Sequence, residues 1–415
     1  METNSKKNPT ILPYVTVQPD WVEVVKDVGK GAPAEVFWMS YYRSGEKSVH
    51  GSVRVASAAD GVSIEPTDGA SFEQLSELSF TTECKQLGLS KLSVKSPVGA
   101  YKLENKLPIN AFDVSPGEEL YVVGSDNGYM AVCDANNGAI LRKLEGHVGD
   151  ITTCEFFPSG QVVLSGATDF RLKIWSVADG SNPVTLLGHT SAILDTAIIA
   201  KGRNVVSCSK DGTVKLWECG SSSLIRTLAQ HSDPVHQIAL DTVPPLSFQK
   251  KCEQPTLDPR EVETVDKLLA LALQSGSVRG VDLGSKDEIF KVYSHGHAPV
   301  KSTALCSSKN LLALGTANGI VEIFDLRNTK QQAAMFRRND ASIEVLDFID
   351  DGDKPGLLVG TADGMCSQYD ISSYEQIHAA IEYAGSDLDS IRGICKLSSG
   401  RLFTGAKDGF VRKYA

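Results

Sequence analysis

The sequence predicts an all-β fold in which one four-stranded unit recurs seven times behind a small leading domain. Three observations predict it. A tight turn between two apolar, alternating runs occurs as "SDNGYMAVCD", "ATDFRLKIWS", "SKDGTVKLWE", "LQSGSVRGVD", "TANGIVEIFD", "TADGMCSQYD" and "AKDGFVRKYA". The turn residues Asn127, Asp169, Asp211, Ser275, Asn318, Asp363 and Asp408 follow one another at intervals of 42, 42, 64, 43, 45 and 45 positions. A period of about 40 to 45 residues with four strand-like segments is the length of one blade of a β-propeller. The expected architecture is therefore seven-bladed, each blade burying its faces against its neighbours.

Residues 1–90 do not follow the period. Their runs "AEVFWMSYY" and "VHGSVRVAS" read as strands with Gly, Asp and Ser turns between them, so a small mixed or β-rich N-terminal domain of unknown role is expected there. The propeller is expected over 91–415. Its final unit ends at Ala415 just after a third strand, and "KLSVKSPVGAYKL" (91–103) is expected to close that blade as its outer strand, removing an open sheet edge. Within each unit, Asn-Gly and Asp-Gly suit a two-residue hairpin turn because both central residues need positive φ. The long interval coincides with a Pro-rich, charged stretch, and 244–266 is read as a loop inserted between two strands.

Lys and Arg number 41 against 51 Asp and Glu, a formal charge of −10. This argues against nucleic acid or an anionic membrane as the main partner, because both need clustered cations; basic partners are favoured. The nine cysteines are odd in number and form no Cys-x-x-Cys pair, which disfavours zinc ribbons and disulfide scaffolds. No run approaches the roughly 18 apolar residues of a membrane span. The expectation is a soluble, cytoplasmic or nuclear chain without cofactor or metal. It is expected to be a monomer by itself, since a closed ring needs no partner strand.

His147, Ser165, Asp169 and Trp175 recur 42 positions later as His189, Ser207, Asp211 and Trp217. These residue types would suit an acyl-transfer triad. Neither serine lies in a Gly-x-Ser-x-Gly elbow, however, and duplication at the repeat period calls for a structural cause. They are read as buried hydrogen-bond chains running from indole to hydroxyl to imidazole to carboxylate. "DVGKGAPAE" lacks the spacing of a phosphate loop and is read as a solvated turn. His297 is read as a further blade histidine, and Arg337 and Arg338 as a solvated outer edge. No catalytic set is expected.

The Gly-His steps at 146–147 and 188–189, the Asp turns and the closing Trp resemble WD-repeat propellers, although Trp-Asp is replaced by Trp-Ser and Trp-Glu. The stretches "LEGHVGDITTCEFFPSGQVVLSGATDFRLKIWSVADGS" and "TLLGHTSAILDTAIIAKGRNVVSCSKDGTVKLWECG", the ending "KDGFVRKYA", and the N-terminal "QPDWVEVV" and "VHGSV" resemble the proteasomal-ATPase-associated factor family. That resemblance implies a non-enzymatic assembly chaperone for the base of the proteasome regulatory particle, binding the C-terminal domain of an AAA ATPase subunit. A different WD-repeat scaffold, such as a ubiquitin-ligase substrate receptor or a signalling adaptor, is the alternative.

In a propeller the turns between second and third strands share a face with the loops leading into each first strand. Asp126, Asp150, Asp195, Asp233, Glu344, Asp387 and Asp389 are expected on that face and are the candidate partner-binding residues. Lys210, Lys301, Arg392 and Lys407 interrupt them.

Overall fold

Alternating apolar side chains give the strands their two buried faces, and the turns set where each strand reverses. In the computed structural model, which describes residues 8–59, 61–67, 69–244, 258–351, 354–386 and 388–415, this yields a run of four-stranded antiparallel sheets. The sheet built from Ile151–Phe156, Val162–Ala167, Leu172–Ser176 and Val184–Leu186 is typical. Its inner strands are almost wholly buried because both faces meet neighbouring sheets.

Among the described residues, seven sheets follow this plan. Their first strands are Ala111–Val114, Ile151–Phe156, Ile193–Ile199, Val235–Thr242, Val300–Cys306, Ile343–Asp351 and Ile391–Lys396, and each packs beside the next. The last packs beside the first, so the ring is closed. It is an all-β propeller, and its core is shared between blades: Trp217 of the third packs with Leu164 and Leu172 of the second.

The ring also closes through the chain. Gly99–Lys102 pairs antiparallel with Phe410–Tyr414 of the seventh blade. The stretch 91–103, expected to be one closing strand, is thus divided. Its first part belongs to Leu89–Lys95, which pairs in parallel with His378–Tyr383, the outer strand of the sixth blade. Pro97 breaks the run between them.

The leading segment forms its own sheet from Tyr14–Val17, Glu35–Tyr42, Val49–Ala58 and Gly61–Thr67, covered by the helix Trp21–Gly29. Apolar residues at 21, 24, 25 and 28 give that helix one buried stripe. This region extends two blades: Thr10–Ile11 adds a parallel strand to the fifth, and Ser79–Cys84 and Glu73–Ser76 continue the sixth beyond Leu89–Lys95. One apolar cluster accordingly joins Trp21, Phe37 and Phe80 to Phe336 and Tyr369 of the propeller. The inserted loop read at 244–266 lies mostly outside the described residues. Its described end, Glu261 and Val262, turns back against the third blade, where the Val262 N–H donates to Asn204 Oδ1 at 2.6 Å.

Candidate functional site

The face that carries the turns between second and third strands is organised by the recurring polar residues. In the second blade the Trp175 indole N–H donates to Ser165 Oγ at 2.8 Å, and His147 Nε2 lies 2.8 Å from the same oxygen. His147 Nδ1 lies 2.8 Å from Asp169 Oδ2. The third blade repeats the chain through Trp217, Ser207, His189 and Asp211 at 2.8, 2.8 and 3.0 Å. One direction satisfies every atom: indole N–H to hydroxyl oxygen, hydroxyl to Nε2, Nδ1–H to carboxylate. Burial pulls both histidines below the ordinary imidazole range, keeping them neutral. Asp169 and Asp211 are desolvated as well, yet accepted hydrogen bonds hold their carboxyls below the usual range. Each carboxylate also receives the N–H after its histidine, from Val148 at 3.2 Å and Thr190 at 2.9 Å. The chains thus tie each turn to the loop leading into its own blade, and present those loops together on one face.

The candidate carboxylates do not form one rim. Asp150 is exposed and accepts the Asn127 N–H at 2.9 Å. Asp126 takes the Asn110 amide at 2.7 Å, and Asp233 takes the Ser275 N–H at 3.0 Å, so both brace their turns. Asp389 is exposed. Asp387 lies outside the described residues. Asp195 and Glu344 depart from the expected placement and line the central channel, a cavity of about 420 Å³. Asp195 sits at the bulge after Ile193, which directs it inward; it accepts N–H groups from Thr196 at 2.9 Å and Ile238 of the next blade at 3.0 Å. Glu344 pairs with Arg392 at 2.8 Å across the sixth and seventh blades.

Asp113 and Asp241 act like Asp195. Asp113 accepts the Phe156 N–H at 2.7 Å and Asp241 the Ser307 N–H at 2.8 Å, each from the following blade. Burial pushes Asp113 and Asp347 up to about 6 and Asp195 up to about 7. Asp113, Asp195 and Asp241 are staples between blades. Chemically the face offers hydrogen-bonded turns, scattered exposed charge and exposed apolar side chains.

This geometry has relatives. The WD domain, G-beta repeat model matches residues 138–176 and 180–218, the two blades with complete hydrogen-bond chains. The chain is 30% identical over its whole length to the probable proteasomal ATPase-associated factor 1 of Dictyostelium discoideum, covering 99% of that protein. It is 33% identical to proteasomal ATPase-associated factor 1 of Gallus gallus, over 96% of this chain and 97% of that one. The chain belongs to the proteasomal ATPase-associated factor 1 family. It is also 43% identical over 65 residues, 16% of each chain, to the 26S proteasome regulatory subunit RPN14 of Saccharomyces cerevisiae. It is thus a proteasome-associated WD-repeat factor.

Two features of this family member escape the sequence reading. Arg338 is not a solvated edge. It is buried in the sixth blade, where its guanidinium bonds Asp363 at 3.0 Å and Thr361 at 3.3 Å and lies 4.8 Å from the Tyr14 ring. It bonds the turn carboxylate as histidine does in blades two and three, and the signal was its place 25 positions before the turn residue Asp363. His297, by contrast, is exposed and packs edge-on against Tyr293 at 5.0 Å, so it is no blade histidine. The second missed feature is apolar: Val148, Phe170 and Leu187 project from one side of the turn face at 81%, 44% and 65% exposure.

Proposed function

We propose that this chain is a non-enzymatic assembly chaperone of the 26S proteasome regulatory-particle base that binds the C-terminal domain of a proteasomal AAA ATPase subunit through its turn face. The observation that carries the reading is likeness over the whole length, leading segment included, to relatives named for association with a proteasomal ATPase. Support comes from the site itself. The serine, histidine and aspartate that could mimic a triad are spent on one another and on backbone N–H groups in both complete blades. The channel carboxyls Asp113 and Asp195 are engaged between blades, which leaves the face as the working surface.

The net charge of −10 suits a basic partner and gives it faster, salt-sensitive association. Affinity purification of the tagged chain from cells with incompletely assembled proteasomes tests the reading. ATPase subunits of the base, recovered without proteolytic-core subunits, are the expected result. Recovery of a cullin adaptor in their place would support the ubiquitin-ligase alternative and overturn the proposal.

A further inference from the structure

The turn between second and third strands has the same backbone in six units. Gly212, Gly276, Gly319, Gly364 and Gly409 stand at φ between +77° and +82°, each donating its N–H to the carbonyl three residues back at 3.1–3.2 Å. Phe170 occupies this position in the second blade, at φ +68°, with the same bond to Ala167 at 3.2 Å. A bulky side chain with positive φ is a strained exception. No local requirement of the turn calls for it, because glycine makes the same turn elsewhere in the ring.

Space makes the exception sharper. A Cβ built on Gly212 would lie 2.2 Å from the His231 carbonyl oxygen, on Gly319 2.2 Å from that of Asn339, and on Gly409 2.7 Å from that of Leu107. At those turns the loop leading onward closes over the glycine. After the second blade the corresponding loop, 187–190, leaves room for a ring. That ring is not used as core: Phe170 is 44% exposed, and its neighbours are exposed too. Val148 is held there by its N–H bond to Asp169, the residue before Phe170. The Leu172–Leu186 pairing places Leu187 beside Arg171. Strain is thus kept at a position where its product is an apolar, outward patch, the kind of aromatic anchor that dominates binding at protein interfaces.

We infer that Phe170, flanked by Val148 and Leu187, is the anchor by which the second and third blades hold the proteasomal ATPase domain. This rests on the proposed function for the partner and adds the contact. The occupant is an apolar pocket on that domain; the exposed carboxylate Asp150 lies in the loop that leads into the same second blade.

Titration calorimetry of the full chain against the purified C-terminal domain of each proteasomal ATPase subunit tests it, with Phe170→Gly, Leu187→Ser and Val148→Ser compared. The expected result is one domain bound by the unaltered chain, with affinity at least tenfold lower for Phe170→Gly and a melting temperature equal to or above that of the unaltered chain. Unchanged affinity in Phe170→Gly would overturn the anchor and leave the proposed function standing. A lowered melting temperature in that variant would overturn it also, by showing that the ring serves the fold. Absence of binding by the unaltered chain to every domain would remove both.

Discussion

At the scale of single residues, the side chains that resemble chemistry are the ones that hold the blades. Trp217 is fully buried and donates to Ser207, so Trp217→Ala is expected to cost roughly 3–5 kcal/mol in chemical denaturation, the range for deleting a buried aromatic. An unaltered midpoint would contradict the burial of Trp217 in the blade core. Phe170→Gly is expected to move stability the other way, by about 1 kcal/mol, because the turn regains its ordinary residue. Buried carboxyls contribute to the pH response. Asp113, Asp195 and Asp347 have folded pKa values raised above the unfolded ones, so the stability they contribute is complete below about pH 4 and is lost as pH rises through 6 to 7. Asp169 and Asp211, depressed in the folded chain, act oppositely and lose their contribution in acid. Asp113, Asp195 and Asp347 should therefore lower the thermal midpoint as pH rises from about 4 to about 7, against the opposite contribution of the depressed His147 and His189. Asp195→Asn should reduce that fall by roughly 1–2 kcal/mol, once partial solvent access is allowed for. An identical pH profile in the variant would show that Asp195 is not strained by its burial. The His, Ser, Asp and Trp chain was legible because it repeats at a fixed interval. Asp195 was misplaced because a strand bulge, invisible in the sequence, turns it from the rim into the channel.

At the scale of elements, the leading segment and the propeller share strands as well as surface. Phe80 stacks edge-on with Trp21 at 5.0 Å, and both belong to the apolar cluster that reaches Phe336 and Tyr369. Phe80→Ala is expected to destabilise the chain by about 3–5 kcal/mol and to lower the whole unfolding transition as one event. A separate early transition in differential scanning calorimetry, leaving the propeller's own unchanged, would contradict this coupling. The division of 91–103 shows why the joint was only partly legible. Apolar alternation marks a strand, but nothing in it says which of two adjacent sheet edges the strand will meet. The helix Trp21–Gly29 went unread: its apolar residues at 21, 24, 25 and 28 carry the helical spacing, but over so few turns among strand-like runs they do not stand out. Arg338 illustrates the reverse limit. Two arginines beside an Asn and an Asp look solvated until the fold brings Asp363, Glu382 and the Tyr14 ring around one of them.

At the scale of the molecule, closure of the ring converts seven marginal sheets into one rigid disc. That rigidity gives the turn face a fixed layout of charge and apolar surface. If carboxylates steer the partner, replacing Asp387 and Asp389 together by Lys should weaken ATPase-domain binding by severalfold at low ionic strength and by less at high, without changing the melting temperature. Equal affinity at low salt would remove that role. The propeller class was legible because hairpin turns between alternating runs recur at a nearly constant period. The apolar patch of Val148, Phe170 and Leu187 was not, because exposure depends on how far apart neighbouring loops stand, and Phe170 in its turn gains meaning only when the backbone is seen. The most direct measurement is lysine-directed cross-linking, with mass spectrometry, of the complex between this chain and the ATPase subunit it recovers. The account predicts cross-links from Lys210 and Lys407, exposed on the turn face. Cross-links confined to Lys201 and Lys286, exposed at the opposite ends of the strands, would contradict it.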